Sequence, residues 1–279
     1  MEVLLHQIDA FADAPFTGNP AAVMPLLAWL PDELLQRLAE ENRLSETAFY
    51  TSSLPPEAGL PPGDGPAFWL RWFSPTTEID LCGHATLAAA AQIFDDMHPV
   101  AEVVHFYTRS GWLGVQRRGP DLVLDLPAAE SRDTVPDPDL IAALGVRPVR
   151  VLTGPDELVV VATEAQVRGA RPSFTAFPRL ARGVILTAPG DRTDFVSRFF
   201  APGVGVDEDP VTGSAHAQLA PLWAREFGRR ELSARQLSSR TGRLHCTVTG
   251  SRVLLTGRCH RYLDGVVRLP HPEVLPTLG

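Results

Sequence analysis

One segment of this chain occurs twice. Arg71-Trp-Phe-Ser-Pro75 runs on to Glu78-Ile-Asp-Leu-Cys-Gly-His-Ala85, and Arg198-Phe-Phe-Ala-Pro202 runs on to Glu208-Asp-Pro-Val-Thr-Gly-Ser-Ala215. In each copy an apolar strand ends at a proline, which cannot donate to a sheet ladder. A turn follows, and Gly83 or Gly213 then opens an alanine-rich stretch of helical composition. A chain built this way folds as two related halves. The first amides of a helix lack internal partners and carry the positive end of its dipole, so a helix opening on glycine leaves its backbone accessible to an anion. Two such ends facing each other make a cradle for a carboxylate. Aligned on the glycines, Cys82-Gly83-His84 stands opposite Thr212-Gly213-Ser214, so equivalent places hold different chemical groups. The second turn is three residues longer than the first.

At 279 residues the chain suits two domains of ordinary size. The expected division is 1–127 and 128–279, with the last strand free to return to the first domain. Hydrophobic residues at 44% and charged residues at 21% are globular proportions. No apolar run reaches the roughly 18–20 residues of a membrane span, and the N-terminus has no basic-then-apolar leader pattern, so the expectation is a cytoplasmic protein without a membrane partner. A net charge of −8 without a basic run argues against nucleic acid. There is no lysine, so all 25 basic residues are arginine; Schiff-base chemistry and a P-loop lysine are ruled out. Three scattered cysteines form no disulfide framework, and the eight histidines show no metal-ligand spacing. Gly-x-Gly-x-x-Gly is also missing. Chemistry without a metal or cofactor is the expectation.

The pattern predicts a strand at 3–9, a turn at Phe16-Thr-Gly-Asn-Pro20, a strand at 21–24 and a helix at 31–41. Residues 44–50 alternate as a strand, placing Glu46 on a face with Leu44, Ala48 and Tyr50. A Pro/Gly-rich loop, expected to be mobile, fills 54–66. Strands are predicted near 67–74, 101–107, 112–117 and 121–126, with a helix at 84–95. Beyond the linker 128–138 come a short helix at 139–144 and strands near 148–153, 158–163, 183–188 and 194–201. The helix 214–227 is ended by Gly228, and strands near 235–240, 244–249, 252–257 and 261–268 follow. This is an α+β pattern of two pseudo-symmetric domains, each a strand set wrapped around a central helix whose start reaches an interdomain cleft. The regular strand–helix alternation of a Rossmann sheet is lacking.

Four ordered blocks resemble the phenazine-biosynthesis PhzF-like family, which shares the diaminopimelate epimerase fold. They are Asp9-Ala-Phe11-x-x-x-x-Phe16-x-Gly18-Asn19-Pro20-x-Ala-Val23, Asn42-x-Leu-Ser-Glu46-Thr, Cys82-Gly-His84-Ala-Thr86, and Glu208-Asp209-Pro-x-Thr212-Gly213-Ser214-Ala215. The stretch Leu237-Ser-Ser-Arg-Thr241 is less typical and bears on substrate specificity. The resemblance implies a homodimer with the active site between two similar domains. It also implies a cofactor-free isomerase that moves a proton between carbons of a dihydro-hydroxyanthranilate or a similar small cyclic or unsaturated carboxylic acid. Carried over, Glu46 is the acid/base, His84, Asp209 and Ser214 bind and orient substrate, and the amides of Gly83 and Gly213 hold its carboxylate. Asn19 joins this binding set, although a turn role also explains it.

The residues carry the same chemistry on physical grounds. Taking a proton from carbon needs a base poised near neutrality, and a carboxyl desolvated among apolar neighbours moves that way. By spacing alone Glu46 reads first as an exposed strand residue or an ion-pair partner, and the resemblance turns it into the base. His84 at a helix start can donate to a substrate carboxylate or pair with a carboxylate across the cleft, for which Asp209 is the candidate; Thr212 and Ser214 are also ordinary helix caps. Cys82 raises the alternative of a two-cysteine racemase or epimerase of an amino or hydroxy acid, but the opposing position is Thr212, whose hydroxyl is no base near neutral pH. Cys82, Cys246 and Cys259 are expected to be packing residues, His216 and Gln218 surface residues, and Trp69, Trp72, Trp112 and Trp223 core. His245, His260 and His271 have no partner pattern. A binding protein that has lost turnover is the remaining alternative.

Overall fold

The fold comes from a computed structural model that describes residues 1–177 and 183–269. Strands Glu2–Ala10 and Asn19–Pro25 pair antiparallel, and the helix Asp32–Asn42 crosses over to Glu46–Thr51, which runs parallel to Asn19–Pro25. Glu46–Thr51 pairs antiparallel with Ala67–Phe73, which in turn takes the short strand Glu78–Ile79. The first central helix, Gly83–Asp96, then crosses to Val103–Thr108, parallel to Ala67–Phe73, and Gly111–Arg118 and Asp121–Pro127 complete an antiparallel run.

The second half repeats this scheme pairing for pairing. Arg150–Thr153 and Glu157–Val160 are antiparallel, Glu157–Val160 and Val184–Pro189 parallel, and Val184–Pro189 and Phe195–Ala201 antiparallel. Phe195–Ala201 takes the short strand Val206–Asp209, and after the second central helix, Gly213–Phe227, runs parallel to Glu231–Gln236. Gly242–Thr249 and Arg252–Gly257 finish it. The repeat reaches single ion pairs: Arg71 binds Glu78 with Nε–Oε1 2.7 Å and Nη2–Oε2 2.9 Å, and Arg198 binds Glu208 at the same two distances. Each fork ties the proline-ended strand to the short strand leading into its helix start.

The halves join where Asp121–Pro127 pairs antiparallel with Arg252–Gly257. They also exchange ends: Cys259–Arg268 lies along Glu2–Ala10, and Arg132–Asp133 pairs with Arg150–Thr153. Every residue of the first central helix from Gly83 to Phe94 is buried. A helix apolar all round must be enclosed, and its run of alanines lets the sheet approach from every side. Both central helices share one hydrophobic cluster with Leu124, Leu126 and Leu255. In the second helix Pro221 has no N–H for the carbonyl of Ala217, which accepts instead from Ala129 N at 3.1 Å. The chain leaving the first half therefore satisfies the defect in the second.

Several expectations need correction. The strand predicted at 235–240 is Glu231–Gln236, because Ser238 Oγ accepts from Thr241 N at 2.9 Å and Thr241 turns to φ 57°, which ends the extended run. The strand predicted at 158–163 stops at Val160, and a helix, Glu164–Gly169, starts from a Thr163/Gln166 capping box. His216 and Gln218 are buried rather than superficial, while Trp69 and Trp112 are only half-buried. Trp112 Nε1 donates to Ala58 O at 3.0 Å, so the loop 54–66 is fastened to the sheet. His271 lies outside the described residues. Among the described residues no helix is long and apolar enough to cross a membrane.

Candidate active site

The two central helices meet start to start. A Cβ placed on Gly83 would lie 3.4 Å from Gly213 Cα, and one on Gly213 would lie 3.4 Å from Gly83 Cα. Both glycines bring backbone to backbone. Neither N-cap residue, Cys82 or Thr212, closes its side chain onto its own helix. A cleft of about 400 Å³ opens over this junction, lined by Glu46, Leu81, Cys82, His84, Phe199, Asp209, Thr212 and Ser214 among others. The structure thus brings Glu46, Gly83, His84, Asp209, Gly213 and Ser214 to one cleft. Of the side chains among these, Ser214 is exposed to solvent and His84 and Asp209 are buried.

On the first side, Glu46 opens its strand and its side chain is 16% exposed. Glu46 Oε2 lies 3.1 Å from His84 Nε2, within ion-pair distance but out of hydrogen-bond alignment, and both atoms are buried without another partner. His84 Nδ1 faces Cys82 Sγ at 3.5 Å. Burial pushes the Cys82 thiol up to about 11, Glu46 adding to the rise and His84 opposing it. Burial also works against a charged His84, yet Cys82 and Glu46 outweigh it and hold the imidazolium well above the usual histidine range. Because the Cys82 thiol is itself protonated near neutrality, Glu46 is the partner that sustains this cation.

On the second side, Asp209 is fixed from several directions. Asn19 Nδ2 donates to its Oδ1 at 2.8 Å, and Thr212 Oγ1 donates to its Oδ2. Thr212 therefore binds the acid instead of capping its helix. Burial pushes the Asp209 carboxyl up to about 6; His84 pulls it down, and Glu46 raises it further. The expected direct pairing of His84 with Asp209 is not made: the carboxylate beside His84 is Glu46, and Asn19 stands between, its Nδ2 3.2 Å from His84 Nδ1 with both hydrogens given to Asp209 Oδ1 and Val211 O. Asn19, expected in the substrate-binding set, does not line the cleft, yet it is more than a turn residue. It is fully buried and also donates to Val211 O at 2.9 Å, so it fastens the first half to the second.

Gln236 escaped the sequence reading. Its Oε1 accepts from Thr212 N at 2.9 Å, while its Nε2 donates to Asp209 O at 2.8 Å and to Thr212 Oγ1 at 3.1 Å. The signal was present: in Glu231–Gln236 the core face carries Leu232, Ala234 and then a glutamine. His216 was missed too. Burial lowers its pKa to about 4, so the neutral ring donates through Nδ1 to Thr212 O at 2.8 Å. Glu46, Cys82 and His84 lie close enough together to suggest a cation site. They fit one poorly, because Glu46 and Cys82 face opposite nitrogens of the imidazole.

Residues 8–265 match the phenazine biosynthesis-like protein family, PhzC-PhzF. The chain belongs to this family. An uncharacterized isomerase of Pseudomonas aeruginosa is 48% identical, the match covering 96% of this chain and 100% of that one. The crystal structure of a PhzF-family phenazine biosynthesis protein from Enterococcus faecalis is 40% identical and superposes with a TM-score of 0.88, covering 96% of this chain and 100% of that one. A hydroxyproline epimerase from Agrobacterium vitis, solved with trans-4-hydroxy-L-proline, is 15% identical with a TM-score of 0.61 over 95% of this chain and 91% of its own. That likeness extends the fold to the epimerases and carries no inference about chemistry.

Proposed function

We propose that this PhzF-family protein is a cofactor-independent isomerase that moves a proton between carbons of a small cyclic or unsaturated carboxylic acid. One observation carries the reading: a buried carboxylate oxygen, Glu46 Oε2, has no hydrogen-bond partner and stands at a cleft floored by two bare helix starts. The substrate carboxylate rests against the first amides at Gly83 and Gly213, within reach of the exposed Ser214. There the dipole ends favour it and, in the transition state, favour charge spreading toward it. Glu46 takes a proton from one carbon as the C–H electron pair moves into the conjugated system. The same carboxyl returns the proton to a second carbon on that face, so one group serves as base and then acid. His84 faces Glu46 Oε2 as a cation. Asp209, held in place by Asn19, orients the far side of the substrate.

A pair of cysteines acting on opposite faces of one carbon is disfavoured, since Thr212 stands opposite Cys82 and donates its hydroxyl to Asp209. The test is NMR in D₂O of wild type and Glu46→Gln with dihydro-hydroxyanthranilate and a panel of small cyclic carboxylic acids. The expected result is deuterium on carbon with a shifted double bond, absent in the variant. Inversion of a single stereocentre without a shifted double bond would instead establish a racemase, and saturation-transfer signals without product a binding protein.

A further inference from the structure

Asn19 holds the centre of the site, yet its own strand does not account for where it sits. Its NH₂ group has two hydrogens, and Asp209 Oδ1 and Val211 O take both, at 2.8 and 2.9 Å. Both acceptors belong to the second half. The turn that delivers Asn19 is conformationally demanding: Phe16 and Gly18 lie at φ 69° and 74°, and a Cβ on Gly18 would fall 2.3 Å from Ala10 O. Such a turn needs an outside support.

That support comes from the segment Leu237–Thr241. The Arg240 guanidinium donates through Nε to Gly18 O at 3.0 Å and through Nη2 to Thr17 O at 3.2 Å, and Nη2 lies 2.9 Å from Asp9 Oδ2. Gly18 N donates to Thr241 O at 2.7 Å. Asp9 is 2% exposed and stands opposite Pro20 in the strand register. It therefore anchors the guanidinium beside the strand that carries Asn19.

We propose that Arg240 is a positioning residue of the active site: seated on Asp9, it clamps the Thr17-Gly18 turn and so sets Asn19 between Asp209 and His84. A planar fork suits this task, because it meets two carbonyls and a carboxylate at once, whereas an ammonium cannot span all three. Loss of the clamp lets Asn19 withdraw from Asp209. The Asp209 carboxyl then loses a donor that favours its charged form.

The inference rests on the proposed proton shift only for its kinetic arm. Its first arm needs no substrate: the Asp209 carboxyl carbon is followed by NMR through a pH titration of ¹³C-aspartate-labelled protein, the signal being assigned with Asp209→Asn. In Arg240→Met the Asp209 titration should move up by at least about half a pH unit. Arg240→Lys keeps a charge for Asp9, so it should restore the melting temperature while leaving the Asp209 titration displaced. With an active substrate, both variants should raise KM severalfold with kcat within about twofold. An unchanged Asp209 titration in folded Arg240→Lys or Arg240→Met overturns the proposal, whatever the melting temperature does. If Arg240→Met does not fold, Arg240→Lys and Asp9→Asn decide by the same signal. Failure of every panel substrate in wild type counts against the isomerase reading alone, since the titration arm is unaffected.

Discussion

The two helix starts are the same backbone device carrying different chemistry. In each, the carbonyl before the opening glycine accepts the amide four residues on, from Thr86 N at 3.1 Å in the first and His216 N at 3.3 Å in the second. In each, a side chain from that same residue adds a second bond. Thr86 Oγ1 donates to Cys82 O at 2.6 Å, and His216 Nδ1 donates to Thr212 O at 2.8 Å. The loads differ. The first start presents a buried histidine to a carboxylate with an orphaned oxygen, a place where a proton can move. The second presents a hydroxyl and an acid, held by Gln236 and Asn19, beside an exposed serine, a place where a ligand can be held. Duplication supplies equal dipole ends, and side chains divide the labour.

Substitutions that break the comparison should rank accordingly. Glu46→Gln should have the largest effect, a fall in turnover of roughly 10²–10⁴-fold with the fold intact by circular dichroism, because it removes the general base and keeps its shape. Asp209→Asn comes next and acts on stability. Folding raises this carboxyl from 3.8 to about 6, so the native state favours its protonated form. Wild type should therefore lose stability relative to Asp209→Asn as pH rises from about 4 to about 6, by roughly 3 kcal/mol in all, with a constant gap above that range. Urea titrations of both proteins across that window check the sign. Thr86→Val leaves the Cys82 carbonyl its amide donor and should cost about 1 kcal/mol in the same assay. Cys82→Ala should alter turnover by less than about threefold, since a thiol raised to about 11 takes no part near neutral pH. A larger loss would restore the thiol chemistry set aside above.

Much of this arrangement was legible in the chain. The proline-ended strands and glycine-led helices marked the duplication, and the four motif blocks carry Glu46, His84, Asp209 and Ser214 of one cleft, with Asn19 buried against Asp209. What stayed hidden was the support beneath them. Arg240 lies 222 residues from Gly18, and Gln236 is 24 from Thr212. Neither spacing falls within a helix turn or a hairpin, where periodicity could expose it. His216 and Gln218 looked superficial because a polar residue near a helix start is ordinarily solvated. Here the start is enclosed, and each finds a backbone partner: His216 on Thr212 O, and Gln218 Nε2 on Asp156 O at 2.9 Å. The Thr163-x-x-Gln166 cap is visible in the sequence, but the apolar run before it favours a longer strand.

The division of labour is tested most directly by deuterium incorporation into a substrate in D₂O, measured for wild type, Glu46→Gln and Ser214→Ala across substrate concentration. Exchange that is abolished in Glu46→Gln, yet reaches the wild-type rate in Ser214→Ala at higher substrate concentration, is the predicted result. Wild-type exchange in Glu46→Gln, or a saturating rate in Ser214→Ala that falls as far as in Glu46→Gln, would contradict it.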